Sequence, residues 1–150
     1  LLSRGVIKVY AVDVGHGQLA WRLRKDDRVI AHDKTNARYL TAKQVPEPIH
    51  LLVCDASFIG LRTVLPAGMD LVAPCGQMIT LIKPQFEVGR EHVGRKGVVS
   101  DPALHKMVCE LIENWVGNRP GWAVIGITES PVKGPQGNKE FLLAARKTKF

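Results

Sequence analysis

The chain is poor in cysteine, and what it has forms no pattern. Cys54, Cys75 and Cys109 are an odd, widely spaced set without a CxxC pair. Reduced, partly buried thiols in a cytoplasmic protein are the expectation, with no metal centre. No uninterrupted apolar run approaches the roughly 20 residues that a bilayer-spanning helix needs. A signal-peptide pattern is lacking as well, so no membrane partner is expected. Internal repeats and low-complexity linkers are absent. Acidic residues are in the minority, 14 against 21 basic ones, for a net charge of +7. This excess favours a polyanionic partner, nucleic acid first. An equal alternative is a basic soluble protein with no such partner.

What remains is one domain's worth of sequence: 150 residues, 45% of them apolar, enough to fill a core. Strand and helix patterns alternate, which predicts an α/β fold with a largely parallel sheet. LLSRG at the start reads as a last helical turn closed by Gly5. Strands are expected over 6–12, 28–33, 49–55, 77–83, 122–130 and 140–146. Helices are expected over 18–25, 60–73 (stopped by an APCG turn) and 102–118, the last N-capped by Asp101 with Pro102 at its first position. The final strand follows its predecessor through a loop too short for a helix, so it should run antiparallel. No first strand with a glycine-rich turn precedes these elements, and the expectation is a domain lacking its first βα unit.

Three strings place an ionisable residue at the end of an apolar strand: VCDASF (Asp55), LIKPQFE (Lys83) and GNKEF (Glu140). Neighbouring strands lie roughly 4.8 Å apart. With the last strand reversed, all three residues reach one sheet edge, where α/β folds bind ligands. Asp, Lys and Glu together suit deprotonation of a hydroxyl in a charge-compensated pocket. Pro84 favours an extended Lys83 and ends the strand there; the competing reading of Lys83 is a surface lysine.

Other positions carry two readings each. Asp13 ends a strand and either binds ribose hydroxyls or caps the next helix. Asp33 and Asn36 either touch a bound base or serve turn chemistry. The long loop 84–100, with Arg90, Arg95 and Lys96, is a phosphate-contacting lid or a solvated excursion. The loop 131–139, with Lys133 and Lys139, is of the same kind. Phe58 and Phe86 either stack on a base or join the core. His16 and His92 have no metal-ligand spacing.

The strings VYAVDVGHGQLAWRLRKDDRV, TNARYL, VCDASFIGL, LIKPQFEVGREHVGRKGVV, DPALH and SPVKGPQGNKEFLL resemble the methyltransferase domain of the hemolysin A (TlyA) family, within the FtsJ-like ribose methyltransferases. The resemblance spans essentially all 150 residues, and the run from IKPQFE to GVV is its most specific part. It implies a Rossmann-like three-layer sandwich. It also implies S-adenosylmethionine as cofactor and ribosomal RNA, or a ribosomal subunit, as partner. The implied reaction is methyl transfer to ribose 2′-hydroxyls. Of the group's Lys–Asp–Lys–Glu tetrad, the resemblance matches Asp55, Lys83 and Glu140. Asp13, Asn36 and Asp55 become cofactor residues, and Arg90, Arg95, Lys96, Lys133 and Lys139 become RNA contacts. The first tetrad lysine, the glycine-rich loop and an S4-type RNA-binding domain are expected upstream, so the chain alone is expected to be inactive. Two alternatives stand beside this reading: a membrane-active cytolysin, as the family's older name suggests, and a non-catalytic RNA-binding module with a methyltransferase fold.

Overall fold

The computed structural model describes residues 1–149. The chain divides into two compact units, Leu1–Glu47 and Pro48–Phe150.

The first unit holds β1 (Val9–Val12), α1 (Trp21–Arg24) and β2 (Val29–His32). β1 and β2 pair in parallel, from Val9 opposite Val29 to Val12 opposite His32. Gly5 closes an opening 3-10 turn at φ 86°, where glycine avoids the Cβ penalty. β1 and α1 are shorter than the apolar pattern suggests. A tight turn limits the strands: Asp26 accepts hydrogen bonds from the Arg28 backbone N–H and guanidinium, and β2 starts only after it. The helix is delayed because the Gly15 and Gly17 amides are bound to Asp13 and Asp33.

The second unit contains β3 (Ile49–Cys54), α2 (Leu61–Asp70), β4 (Val72–Ile82), α3 (Pro102–Gly117), β5 (Trp122–Glu129) and β6 (Phe141–Lys147). Its sheet has the order β3-β4-β6-β5. β3 and β4 are parallel, and β6 runs antiparallel to both β4 and β5, as the short connection requires. The carboxyl ends of β3, β4 and β5 therefore share one edge with the amino end of β6. The hydrogen-bonded strand orders are β1-β2 in the first unit and β3-β4-β6-β5 in the second. Among the described residues no strand pairs with the outer side of β3.

β4 differs most from expectation. It begins at Val72, and the APCG segment lies inside it as a bulge. Pairing with β3 jumps from Ile49–Val72 to Leu51–Gln77, and Cys75 adopts φ 64°. A side chain at Gly76 would strike Val72 and the Ala73 carbonyl, so only glycine fits the bulge.

α2 and α3 pack on each other and on one face of this sheet. Leu65 and Met69 of α2, with Val108, Ile112 and Val116 of α3, meet Met78 and Ile82 of β4 and Leu143 and Ala145 of β6, all buried. The α3 positions recur at helical spacing, and burial of such a stripe is what stabilises the helix. The opposite face presents Leu51, Val53 and Ile79, each more than a third exposed. Within this unit the sandwich therefore shows one of its two helical layers.

Both ends of α2 are finished by residues distant in sequence. At its start the Leu61 N–H donates to the Glu87 carboxylate at 2.7 Å. At its end the Lys147 ammonium donates to the carbonyls of Met69, Asp70 and Val72. An anion at the first turn and a cation at the last both oppose the helix dipole. Burial pushes the Glu87 carboxyl above its ordinary range, against the Leu61 N–H and Arg62, which favour the anion. α3 carries the expected local cap, Asp101 accepting from the Ala103 N–H at 2.8 Å with Pro102 first in the helix.

Candidate active site

Lys83 leaves β4 in an extended conformation, φ −116° and ψ 97°, as the following proline demands. Pro84 then opens a 3-10 turn, Pro84–Phe86, that takes the chain off the sheet. The lysine side chain is 10% exposed, and its Nζ lies 2.6 Å from an Asp55 carboxylate oxygen. It also donates a hydrogen bond to Ser57 Oγ at 3.1 Å. An ammonium this deep needs such partners, because an unpaired buried charge is expensive. Asp55 stands just past β3, and its side chain is 72% exposed. The pair is thus asymmetric: the cation is held inside, while the carboxylate opens outward and keeps room for a ligand.

Glu140 sits immediately before β6, with only 4% of its surface exposed. Ile82 pairs with Phe141 across the β4–β6 ladder, so Lys83 and Glu140 occupy the next opposed position. Gln85 Nε2 donates to Glu140 Oε1 at 3.0 Å. The other end of that amide, Gln85 Oε1, is buried and has no hydrogen-bond partner among the described residues. Gly134 packs against the Glu140 carboxylate so closely that a Cβ there would overlap it. Asp55, Lys83 and Glu140 therefore share one sheet edge, as their strand-end positions suggest.

Two aromatic rings flank this edge. Phe58 is 90% exposed and adopts φ 63°, a conformation rare for a bulky residue. Its ring centroid lies 5.0 Å from that of Phe86, with the planes tilted by 51°. Exposure of Phe58 removes the core alternative for this residue. Arg90, Arg95, Lys96 and Lys133 are all exposed on the loops that leave the edge. Lys139 differs: its ammonium is 3.3 Å from Glu129, which ties it to β5.

In the first unit the turn chemistry is realised. Asp13 Oδ1 accepts from the Gly15 N–H at 2.6 Å. Asn36 Oδ1 accepts from the Arg38 N–H at 3.1 Å and caps the 3-10 turn Ala37–Tyr39. Asp33 is engaged more heavily, by both carboxylate oxygens with Arg24, by the Gly17 N–H and by His16. The Arg24 hydrogen bonds and then the Gly17 amide hold its carboxyl below the usual range. At Asp13 the turn bond engages Oδ1, and at Asn36 the cap engages the carbonyl oxygen. The second Asp13 oxygen and the Asn36 amide N–H donors suit ribose hydroxyls and a base edge, so these residues fit a nucleoside ligand.

Ser57, Gln85 and Asn138 escape sequence reasoning, although each lies within two residues of Asp55, Lys83 or Glu140. Their polar contacts depend on the fold, and no spacing rule points to them.

Known proteins resemble this chain over nearly all of its length. The family model for FtsJ-like methyltransferases matches residues 1–147. The 16S/23S rRNA (cytidine-2′-O)-methyltransferase TlyA of Mycobacterium tuberculosis is 44% identical over 146 residues, covering 97% of this chain and 54% of its own. Hemolysin A of Brachyspira hyodysenteriae is 35% identical over 145 residues, covering 95% of this chain and 59% of its own. A solved Lactococcus lactis structure superposes with a TM-score of 0.92 at 39% identity, over 99% of this chain and 71% of that one. The chain spans little more than half the length of either curated relative. A match over 147 residues, on a mixed α/β sheet that gathers Asp, Lys and Glu at one edge, leaves one conclusion: the chain belongs to the FtsJ-like methyltransferase family.

Proposed function

We propose that this chain is the core of an enzyme that methylates ribose 2′-hydroxyls of ribosomal RNA, with S-adenosylmethionine as the methyl donor. The observation that carries the reading is the 2.6 Å Asp55–Lys83 pair at the edge that also holds Glu140. The relative from Mycobacterium tuberculosis, named for cytidine-2′-O-methylation of rRNA, supports it.

The donor supplies an electrophilic methyl group when bound, so the residues must align the hydroxyl and remove its proton. Lys83 orients the hydroxyl as an ammonium, or serves as its base once the ammonium has released its own proton to Asp55 or solvent. Asp55 positions the lysine through their ion pair and offsets positive charge at the donor. Glu140, held by Gln85, orients the ribose or the lysine. In the first unit Asp13 takes ribose hydroxyls of the cofactor and Asn36 its adenine side. Arg90, Arg95, Lys96, Lys133 and Lys139 contact RNA phosphates, with Lys139 giving up Glu129 to do so. Phe58, exposed and strained, stacks on a base. A cytoplasmic location fits an rRNA substrate. Among the described residues no helix is long and apolar enough to cross a membrane.

The test is methyl transfer from labelled S-adenosylmethionine to ribosomal subunits by the natural gene product that carries this chain. Label recovered at ribose 2′-oxygens, and lost in Lys83→Ala, supports the reading. Label on bases, or none, overturns it. Liposome leakage by the same protein would instead favour a cytolysin.

A further inference from the structure

The loops 84–100 and 131–139 end in the same turn. Gly94 has φ −72° and ψ −176°, and Gly134 has φ −73° and ψ −176°. Two residues later Lys96 and Gln136 both enter the left-handed region, at φ 64° and 58°. Gly97 and Gly137 follow at φ 76° and 85°. The closing hydrogen bonds match as well. Gly97 N–H donates to Gly94 O and Gly137 N–H to Gly134 O, both at 3.1 Å, while Gly94 N–H donates to Val98 O and Gly134 N–H to Asn138 O, both at 2.9 Å. Two segments forty residues apart, GRKG and GPQG, thus form twin turns with a non-glycine residue in a disfavoured conformation.

One side chain joins them. Asn138 is 3% exposed. Its Oδ1 accepts from the Val99 N–H at 3.0 Å, and its Nδ2 donates to Gly97 O at 2.9 Å and Pro135 O at 3.1 Å. Both donors and the acceptor are therefore spent on the backbones of the two loops. His105 of α3 bonds Val99 O at 2.7 Å, so the Val99 peptide flanks are held on both sides. A buried, fully satisfied amide of this kind specifies one arrangement rather than an average over many.

We infer that Asn138 is a positioning residue that latches the twin turns into one preformed RNA clamp. It acts on the substrate through the loops, not by contact. The inference rests on the proposed RNA methyl transfer for its substrate, but the latch itself can be observed without activity. With the latch closed, the entropy of ordering two glycine-rich loops is met on folding rather than on RNA binding.

The test compares the natural gene product with its Asn138→Asp form. Aspartate can still accept from Val99 N–H, but it turns an acceptor oxygen toward the Gly97 and Pro135 carbonyls. Hydrogen exchange should speed up together in peptides covering 93–99 and 133–139. KM for ribosomal subunits should rise on the order of tenfold, as for the loss of about two ordinary hydrogen bonds. kcat and the salt slope of KM should change little, because the same cations still meet the same phosphates. Faster exchange confined to 133–139, an unchanged KM, or a flattened salt slope would overturn the latch. If Asn138→Asp does not fold, Asn138→Ser is judged by the same readouts. Wild type that fails to methylate RNA overturns the proposed function, while joint exchange in both peptides still reports the latch.

Discussion

Lys83 and Asp55 form an ion pair in which the cation is enclosed and the anion open to solvent, at 2.6 Å. Burial fixes where the ammonium sits. Exposure leaves the carboxylate able to face a ligand without breaking the pair. Truncating Lys83 to Ala in the natural gene product should lower methyl transfer on the order of 10²–10⁴-fold. Cofactor binding, measured by calorimetry, should change little. Lys83→Arg separates base from cation: guanidinium cannot give up its proton, so a base role predicts equal failure. Near-normal turnover with Arg would show that Lys83 supplies only positive charge.

Replacing Arg90, Arg95 and Lys96 together with Ala should weaken RNA binding and flatten its salt dependence. Roughly 0.7 units of log–log slope should disappear for each phosphate that the variant no longer neutralises on single-stranded RNA. Cofactor affinity should hold. An unchanged slope in a filter-binding titration would make the loop a solvated excursion.

Asp33 offers a pH test within the first unit. Its carboxyl is held low by Arg24 and then by the Gly17 amide. A lowered folded-state value means that the contribution to stability is fully present above the ordinary carboxylate range, near pH 4. It is lost as the pH falls through the lowered value. Asp33→Asn should therefore be less stable than wild type at neutral pH, with the two converging in acid. Denaturant unfolding followed by circular dichroism, taken at several pH values, reads the difference. A gap that stays constant from neutral pH into acid would assign it to packing instead.

Lys147 closes the carboxyl end of α2 through hydrogen bonds to the Met69 and Asp70 carbonyls, and adds a 2.7 Å bond to Val72 O at the start of β4. Lys147→Met keeps much of the stem but removes the donors. A loss of about 1–2 kcal/mol in denaturant unfolding is expected. A change within experimental error would mean that water replaces the ammonium at no cost.

The three cysteines should separate by reactivity. Burial raises the Cys54 thiol, and burial with Glu113 and Glu110 pushes Cys109 up to about 11. Both remain thiols at neutral pH, the unreactive form. Cys75 is exposed on the β4 bulge. Iodoacetamide followed by peptide mass mapping should modify Cys75 first. Early labelling of Cys109 would indicate that α3 opens.

The strand ends carrying Asp55, Lys83 and Glu140 are legible in the chain because each apolar run is bounded by a charged residue. The reversed last strand follows from loop length, and the start of α3 from Asp101 and Pro102. These are local signals, set by backbone sterics and by the water-avoidance of short apolar segments. Other features are not local. The bulge in β4 arises from pairing with β3, which a linear reading of APCG takes for a turn. Glu87 caps a helix that begins 26 residues earlier, and Lys147 caps its far end from 77 and 78 residues away. Asn138 reaches Gly97 and Val99 across about forty residues. A hydrogen bond needs its two groups within about 3 Å at a defined angle. Only the packing of α2 and α3 on the sheet brings such distant groups that close.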